Sequence, residues 1–174
     1  KIRFFEDAIK SIITYECNSE WFGNAARDYI CVRSDGTYEG MDMMKVVGKN
    51  GRVIDMNVND HSISEVSEHP DIDNLFINFD ENLIAPECNT CPIYEWCGGG
   101  YLPTRFGNNR GYNNPSIYCT DLKMMFYHIG NWVTNHKNIA NNLKEKINNT
   151  LTNLAKSDPN LNYNDISMSN VYNS

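Results

Sequence analysis

Apolar side chains fall at helical spacing near both ends of the chain and alternate only briefly between them. Ile2, Phe5, Ile9 and Ile12 recur every three or four positions, which predicts an amphipathic helix over residues 2–13. No capping residue precedes it, so the chain is expected to begin inside a larger protein. Tyr29-Ile-Cys-Val-Arg33 is a short β-prone run, Asp35-Gly36 a strong turn signal, and Thr37-Tyr38-Glu39 a returning strand. Residues 28–41 therefore read as a β-hairpin. Met41 to Gly48 suits a short helix or a second strand, and Arg52 to Met56 a short strand within a loop at 49–61. Ser62 to His69 reads as a helix with Ser62 or Ser64 as its cap, closed by Pro70. Asp71 to Ile84 is open between helix and strand.

Residues 86–114 are loop by composition, with three consecutive glycines, three prolines counting the one that opens the span, and several Asn-containing pairs. A loop of that length inside a domain is usually functional. Asn114-Pro115-Ser116 then has the form of a helix start, Asn as N-cap and Pro at the first helical position. That helix is expected to run to about Asn135. A second, Asn138 to Ala155, carries Leu143, Ile147, Leu151 and Leu154 on one face. Residues 156–174 are polar, without core positions, and read as disordered. The fold class expected is α+β, a small β-hairpin and a long Cys/Gly-rich, cluster-binding loop packed among α-helices.

Charge narrows the possible partners. The chain has 174 residues, with 15 Lys+Arg against 22 Asp+Glu, a formal charge of -7. Its basic residues are scattered, so no footprint for nucleic acid is present. No stretch approaches the ~18 apolar residues needed to cross a bilayer. The charges within Lys1-Ile-Arg-Phe-Phe-Glu-Asp7 stand where a signal peptide needs an apolar run, which points to a cytoplasmic protein.

The six cysteines, Cys17, Cys31, Cys88, Cys91, Cys97 and Cys119, change the picture most. A disulfide framework suits short secreted domains, and this chain is neither short nor visibly secreted. Four of the six gather around a glycine run, in Cys88-Asn-Thr-Cys91-Pro-Ile-Tyr-Glu-Trp-Cys97-Gly-Gly-Gly100 and at Cys119 in the first turn of the next helix. Two cysteines two residues apart present both thiolates from one turn. Cys97 closes the other side, and Cys119 adds a fourth ligand from a distant segment. Four thiolates suit a [4Fe–4S] cluster or a structural zinc. Gly98, Gly99 and Gly100 fit both, because backbone amides approach sulfur closely only without side chains. The helix dipole at Cys119 favours its thiolate. Four ordinary buried thiols are the alternative.

These residues carry a resemblance. Cys88-x2-Cys91-x5-Cys97-Gly-Gly-Gly, with 21 residues between Cys97 and Cys119-x-Asp121, resembles the SPASM domain. That is the C-terminal auxiliary-cluster domain of radical S-adenosylmethionine (radical SAM) peptide-modifying enzymes. Val32-Arg-Ser-Asp35-Gly36 through Lys45 is similar to its hairpin region, closest to the maturases that crosslink aromatic side chains of ribosomally made precursor peptides. The resemblance covers residues 1–132. It implies a trailing barrel helix in 1–27, an auxiliary-cluster domain in 28–132, a C-terminal helix in 133–155 and a tail in 156–174. It also implies a missing N-terminal radical SAM barrel and a precursor peptide as partners. The departures are equally informative. The family pattern has seven cysteines and two auxiliary clusters, but Met41 and Tyr101 stand at two of the ligand positions, and Cys17 and Cys31 lie at the wrong distances from Gly36. One cluster, on Cys88, Cys91, Cys97 and Cys119, is what remains. The chain has no Cys-x3-Cys-x2-Cys, so S-adenosylmethionine belongs only to the full-length enzyme.

Other side chains have plainer readings. Cys17 and Cys31 read as partly buried thiols, His61 and His69 as surface residues, and His128, Trp132 and His136 as one packed or half-exposed helix face. Arg105 and Arg110 can moderate the charge of an anionic cluster, hold a peptide carboxylate, or simply be solvated. Three functions therefore compete: an auxiliary [4Fe–4S] domain serving electron transfer and structure, a four-cysteine zinc module that binds peptide, and a free-standing electron carrier.

Overall fold

Arg3–Thr14 forms the first helix, α1, in a computed structural model that describes residues 2–17, 19–22, 30–40, 46–47, 53–70, 84–107 and 109–161. Its buried stripe differs from the expected one. Ala8, Ser11 and Ile12 are buried, whereas Ile2 is 62% and Phe5 46% exposed. Two apolar stripes coexist on this helix at equally good spacing. Phe4 decides between them, because its ring meets Phe22 at 5.2 Å and Trp21 at 5.9 Å, and so turns the 4–8–12 side inward.

Cys31–Val32 (β1), Thr37–Glu39 (β2) and Val53–Asn57 (β3) make an antiparallel sheet in the order β1-β2-β3. The hairpin is where the sequence places it, with Cys31 opposite Glu39 and Val32 opposite Tyr38. Gly36 closes its turn at φ +82°, and a Cβ there would lie 2.6 Å from Asn57 Oδ1, so both backbone and space demand glycine. Ile63–Ser67 (α2) starts at Ser62, not Ser64. Glu65 N donates to Ser62 Oγ, and Ser62 N donates to Glu65 Oε2 at 2.7 Å, a reciprocal capping box. Tyr38, Ile54 and Val66 close a small core between the sheet and α2.

The stretch 86–114 is less loop-like than its composition implies. It holds two single-turn helices, Pro86–Asn89 (α3) and Tyr94–Cys97 (α4), and a 3₁₀ turn at Leu102–Arg105. Prolines open the first and the last of these, where a missing N–H costs nothing. Cys119–Asn135 (α5) and Asn141–Ser157 (α6) pack along each other, and α1 packs on α4 and α5. The main core joins Ala8 and Ile12 of α1, Phe22, Ile93, Trp96, Phe126 and Val133, and Ile147, Leu151 and Leu154 of α6. The cysteine-bearing turns are thus built into the main core. Leu161 also packs against it, so the polar stretch after Ala155 contributes a core contact before it ends.

The architecture is α+β. The expected elements at 41–48 and 71–84 fall largely outside the described residues, as does everything beyond 161. Among the described residues no helix is long and apolar enough to cross a membrane.

Candidate metal centre

Cys88, Cys91, Cys97 and Cys119 line one small cavity of about 20 Å³. Ile93, Pro115 and Leu122 supply apolar wall, and Tyr94, Gly99, Ser116 and Lys123 complete it. Each thiol arrives for a local reason. α3 presents Cys88 in its single turn, and the Cys91 amide donates back to Cys88 O at 3.1 Å, which keeps the pair on one bend. α4 ends at Cys97, whose amide donates to Ile93 O at 2.9 Å beside the buried Trp96. None of the six cysteines is in a disulfide. Among the described residues, no three His, Cys, Asp or Glu side chains are arranged to hold a single metal ion.

Gly98, Gly99 and Gly100 form a consecutive left-handed run, with φ of 59°, 84° and 79°. Two of the three amides are already paired, Gly98 N with Tyr94 O at 2.6 Å and Gly100 N with Cys97 O at 2.9 Å, which leaves the Gly99 amide for sulfur. The Gly99 amide faces the Cys97 sulfur and eases its ionisation. Burial works the other way. Desolvation first, and then the neighbouring Cys91, Cys119 and Cys88 thiols, push Cys97 far up. Burial and the adjacent Cys119 push Cys88 up to about 11, with Arg105 opposing. Cys119 is also raised, by burial first, with Lys123 opposing. Thiols so placed need a cation among them to be anionic together.

Helix α5 does not start as its sequence suggests. Its first residue is Cys119, after Tyr118, and Asn114 is not its cap. Asn114 is committed to the loop instead. Its amide donates to Arg105 O at 3.1 Å and Gly111 O at 2.9 Å, and its oxygen accepts from Arg110 Nε at 2.9 Å. Residues between it and the helix are stitched to the 3₁₀ turn, where Ser116 Oγ meets Thr104 Oγ1 at 2.7 Å and Ile117 N donates to Thr104 O. Cys119 consequently sits closer to the helix end than expected, its own amide donating to Ser116 O at 2.9 Å. Asn114→Ala is expected to lower stability by about 1–3 kcal/mol in urea unfolding, through the orphaned carbonyls, without loss of helical circular dichroism. A drop in helix content at equal stability would restore the capping role.

The two arginines separate. Arg105 is 4% exposed, with Nε shared between Tyr112 O and Asn114 O at 3.2 Å each. Arg110 is exposed and pairs with Glu87 at 3.0 Å, tying the far loop to α3. Cys17 is buried in the main core, where the Ser19 amide donates to its sulfur, and Cys31 is in β1; neither lines the cavity. His128 and Trp132 line an open groove with Phe5, Ile9, Met124 and Ile129, the half-exposed face their spacing indicates. His61 is half-buried and accepts from Asn57 N through Nδ1. Lys123, four residues after Cys119 and so on its side of α5, was not singled out from the sequence, although that spacing could have found it.

No family model matches the sequence, and neither a curated protein nor a solved structure is significantly similar to it.

Proposed function

We propose that Cys88, Cys91, Cys97 and Cys119 hold one [4Fe–4S] cluster. In this reading the chain is the auxiliary-cluster, SPASM-type segment of a cytoplasmic radical SAM maturase that modifies a ribosomally made peptide. One observation carries the ligand set: Cys88, Cys97 and Cys119 from three helices, and Cys91 from the turn between the first two, line a single cavity from which Cys17 and Cys31 are excluded. The donor chemistry fits the group, because buried, mutually repelling thiols gain from a cationic core, and the left-handed glycine run turns an amide toward sulfur. The enzyme-level part of the reading rests on the spacing of the cysteines and on the hairpin before them. When bound, the cluster supplies one-electron chemistry and a staple between α3, α4 and α5. Six cysteines outside any disulfide suit a reducing compartment.

The test is iron and sulfide analysis of anaerobically purified protein with its absorption spectrum. About four irons and four sulfides per chain, with broad absorption near the visible, support the reading. Zinc alone at one per chain would sink it in favour of a structural four-cysteine module. In either event the chain is expected to form no 5′-deoxyadenosine from S-adenosylmethionine, since it has no Cys-x3-Cys-x2-Cys. Product formation by this chain would overturn its role as an auxiliary segment.

A further inference from the structure

We propose that this chain supplies two fixed cations to the thiol cavity, Arg105 behind its glycine wall and Lys123 at its lining, and that Asp158 offsets part of the second's charge. The inference rests on the four cysteines forming one thiolate-ligated centre. Four thiolates around a metal core of charge about +2 leave about two negative charges uncompensated. A buried charge without a partner is expensive, so its compensation has to come from groups nearby.

Arg105 is placed for this. Its guanidinium is almost wholly buried and fixed by the Tyr112 and Asn114 carbonyls. One terminal nitrogen runs along the glycine wall, 3.4 Å from where a Gly99 Cβ would stand. Lys123 stands one helical turn after Cys119 and lines the cavity itself. A solvated lysine would hold no fixed position, but this one is tied. Its Nζ lies 2.8 Å from Asp158 Oδ2, with the two side chains only 20% and 28% exposed. Asp158 follows the last residue of α6, so the ion pair connects the end of the C-terminal helix to the centre. An ordinary fold staple would have the same distance, and charge signs separate the two roles.

One-electron reduction adds one negative charge to the centre and breaks no bond; dithionite supplies the electron in the test. Removing a nearby cation disfavours the reduced state, and removing a nearby anion favours it. The experiment is a dithionite titration of the full chain, loaded with iron and sulfide, followed by electron paramagnetic resonance. Lys123→Met is expected to weaken reduction about tenfold, about 59 mV for a one-electron couple. Asp158→Asn is expected to shift the potential the opposite way, and Lys123→Arg to stay near the parent. If Lys123→Met loses iron, its recovery in Lys123→Arg supports the same assignment, since charge is what the two share; failure of both overturns it. Shifts of one sign in Lys123→Met and Asp158→Asn, or none at full iron content, overturn the charge assignment and leave the ligand set standing. A parent protein that takes up no iron overturns both.

Discussion

Cys97→Ala is expected to remove most bound metal and to loosen residues 86–120. Cys97 and Cys88 are the two buried thiols of the four, and Cys97 lies next to Trp96 and before the three left-handed glycines. Losing it opens one side of the centre and leaves the remaining buried thiols without the group that ties their elements together. Metal binding of this kind is folding free energy, about 10–16 kcal/mol for small structural zinc sites. Between α4 and the start of α5 the chain has a 3₁₀ turn and a few loop hydrogen bonds, so loss of metal should show there first. Metal analysis and limited proteolysis across 86–120 measure both effects. Cys17→Ala and Cys31→Ala are the controls, because neither side chain reaches the cavity. Equal metal loss in Cys17→Ala would mean that the ligand set is wrong.

Gly100→Val should be the most damaging substitution in the glycine run. Its φ of +79° costs a side chain about 1–2 kcal/mol. A Cβ there would also stand 2.9 Å from Leu122 Cδ1 and 3.0 Å from Ser116 Cβ, an overpacking of about 1–3 kcal/mol. Leu122 is on α5 beside the cavity and Ser116 is buried against Thr104, so neither yields freely. Gly99→Val has the same backbone problem at φ +84°, but its Cβ would meet the end of Arg105, 3.4 Å away. Thermal unfolding should therefore rank Gly100→Val below Gly99→Val, with Gly99→Ala above both. The reverse order would show that the glycines matter for approach to the cavity and not for packing against α5.

Much of this was legible because it depends on neighbours in the chain. The helix start at Ser62 or Ser64, the Asp35-Gly36 turn and the 143–147–151–154 stripe need only residues a few positions apart, and each formed within the span its spacing gave it. Cysteine spacing likewise marked out four of six thiols, because two residues between Cys88 and Cys91 fit one bend. The misreadings share a different cause. Asn114-Pro115-Ser116 has every local attribute of a helix start, yet Arg110 Nε takes the Asn114 oxygen that would cap, and carbonyls of Arg105 and Gly111 take its amide. Composition likewise hid three single turns in residues 86–114, since prolines and glycines bound short helices as readily as they exclude long ones.

By itself the sequence determined the long helices, the hairpin turn and which cysteines could act together, since these follow from backbone preference and short spacing. Tertiary structure alone decided which stripe of α1 faces inward, because Phe4 and Phe5 differ only in what they meet. It also decided that Arg105 is buried while Arg110 pairs with Glu87 in solvent, and that Lys123 lies at the thiol cavity. Charge environment is a property of groups far apart in the chain and close in space. No local pattern encodes it.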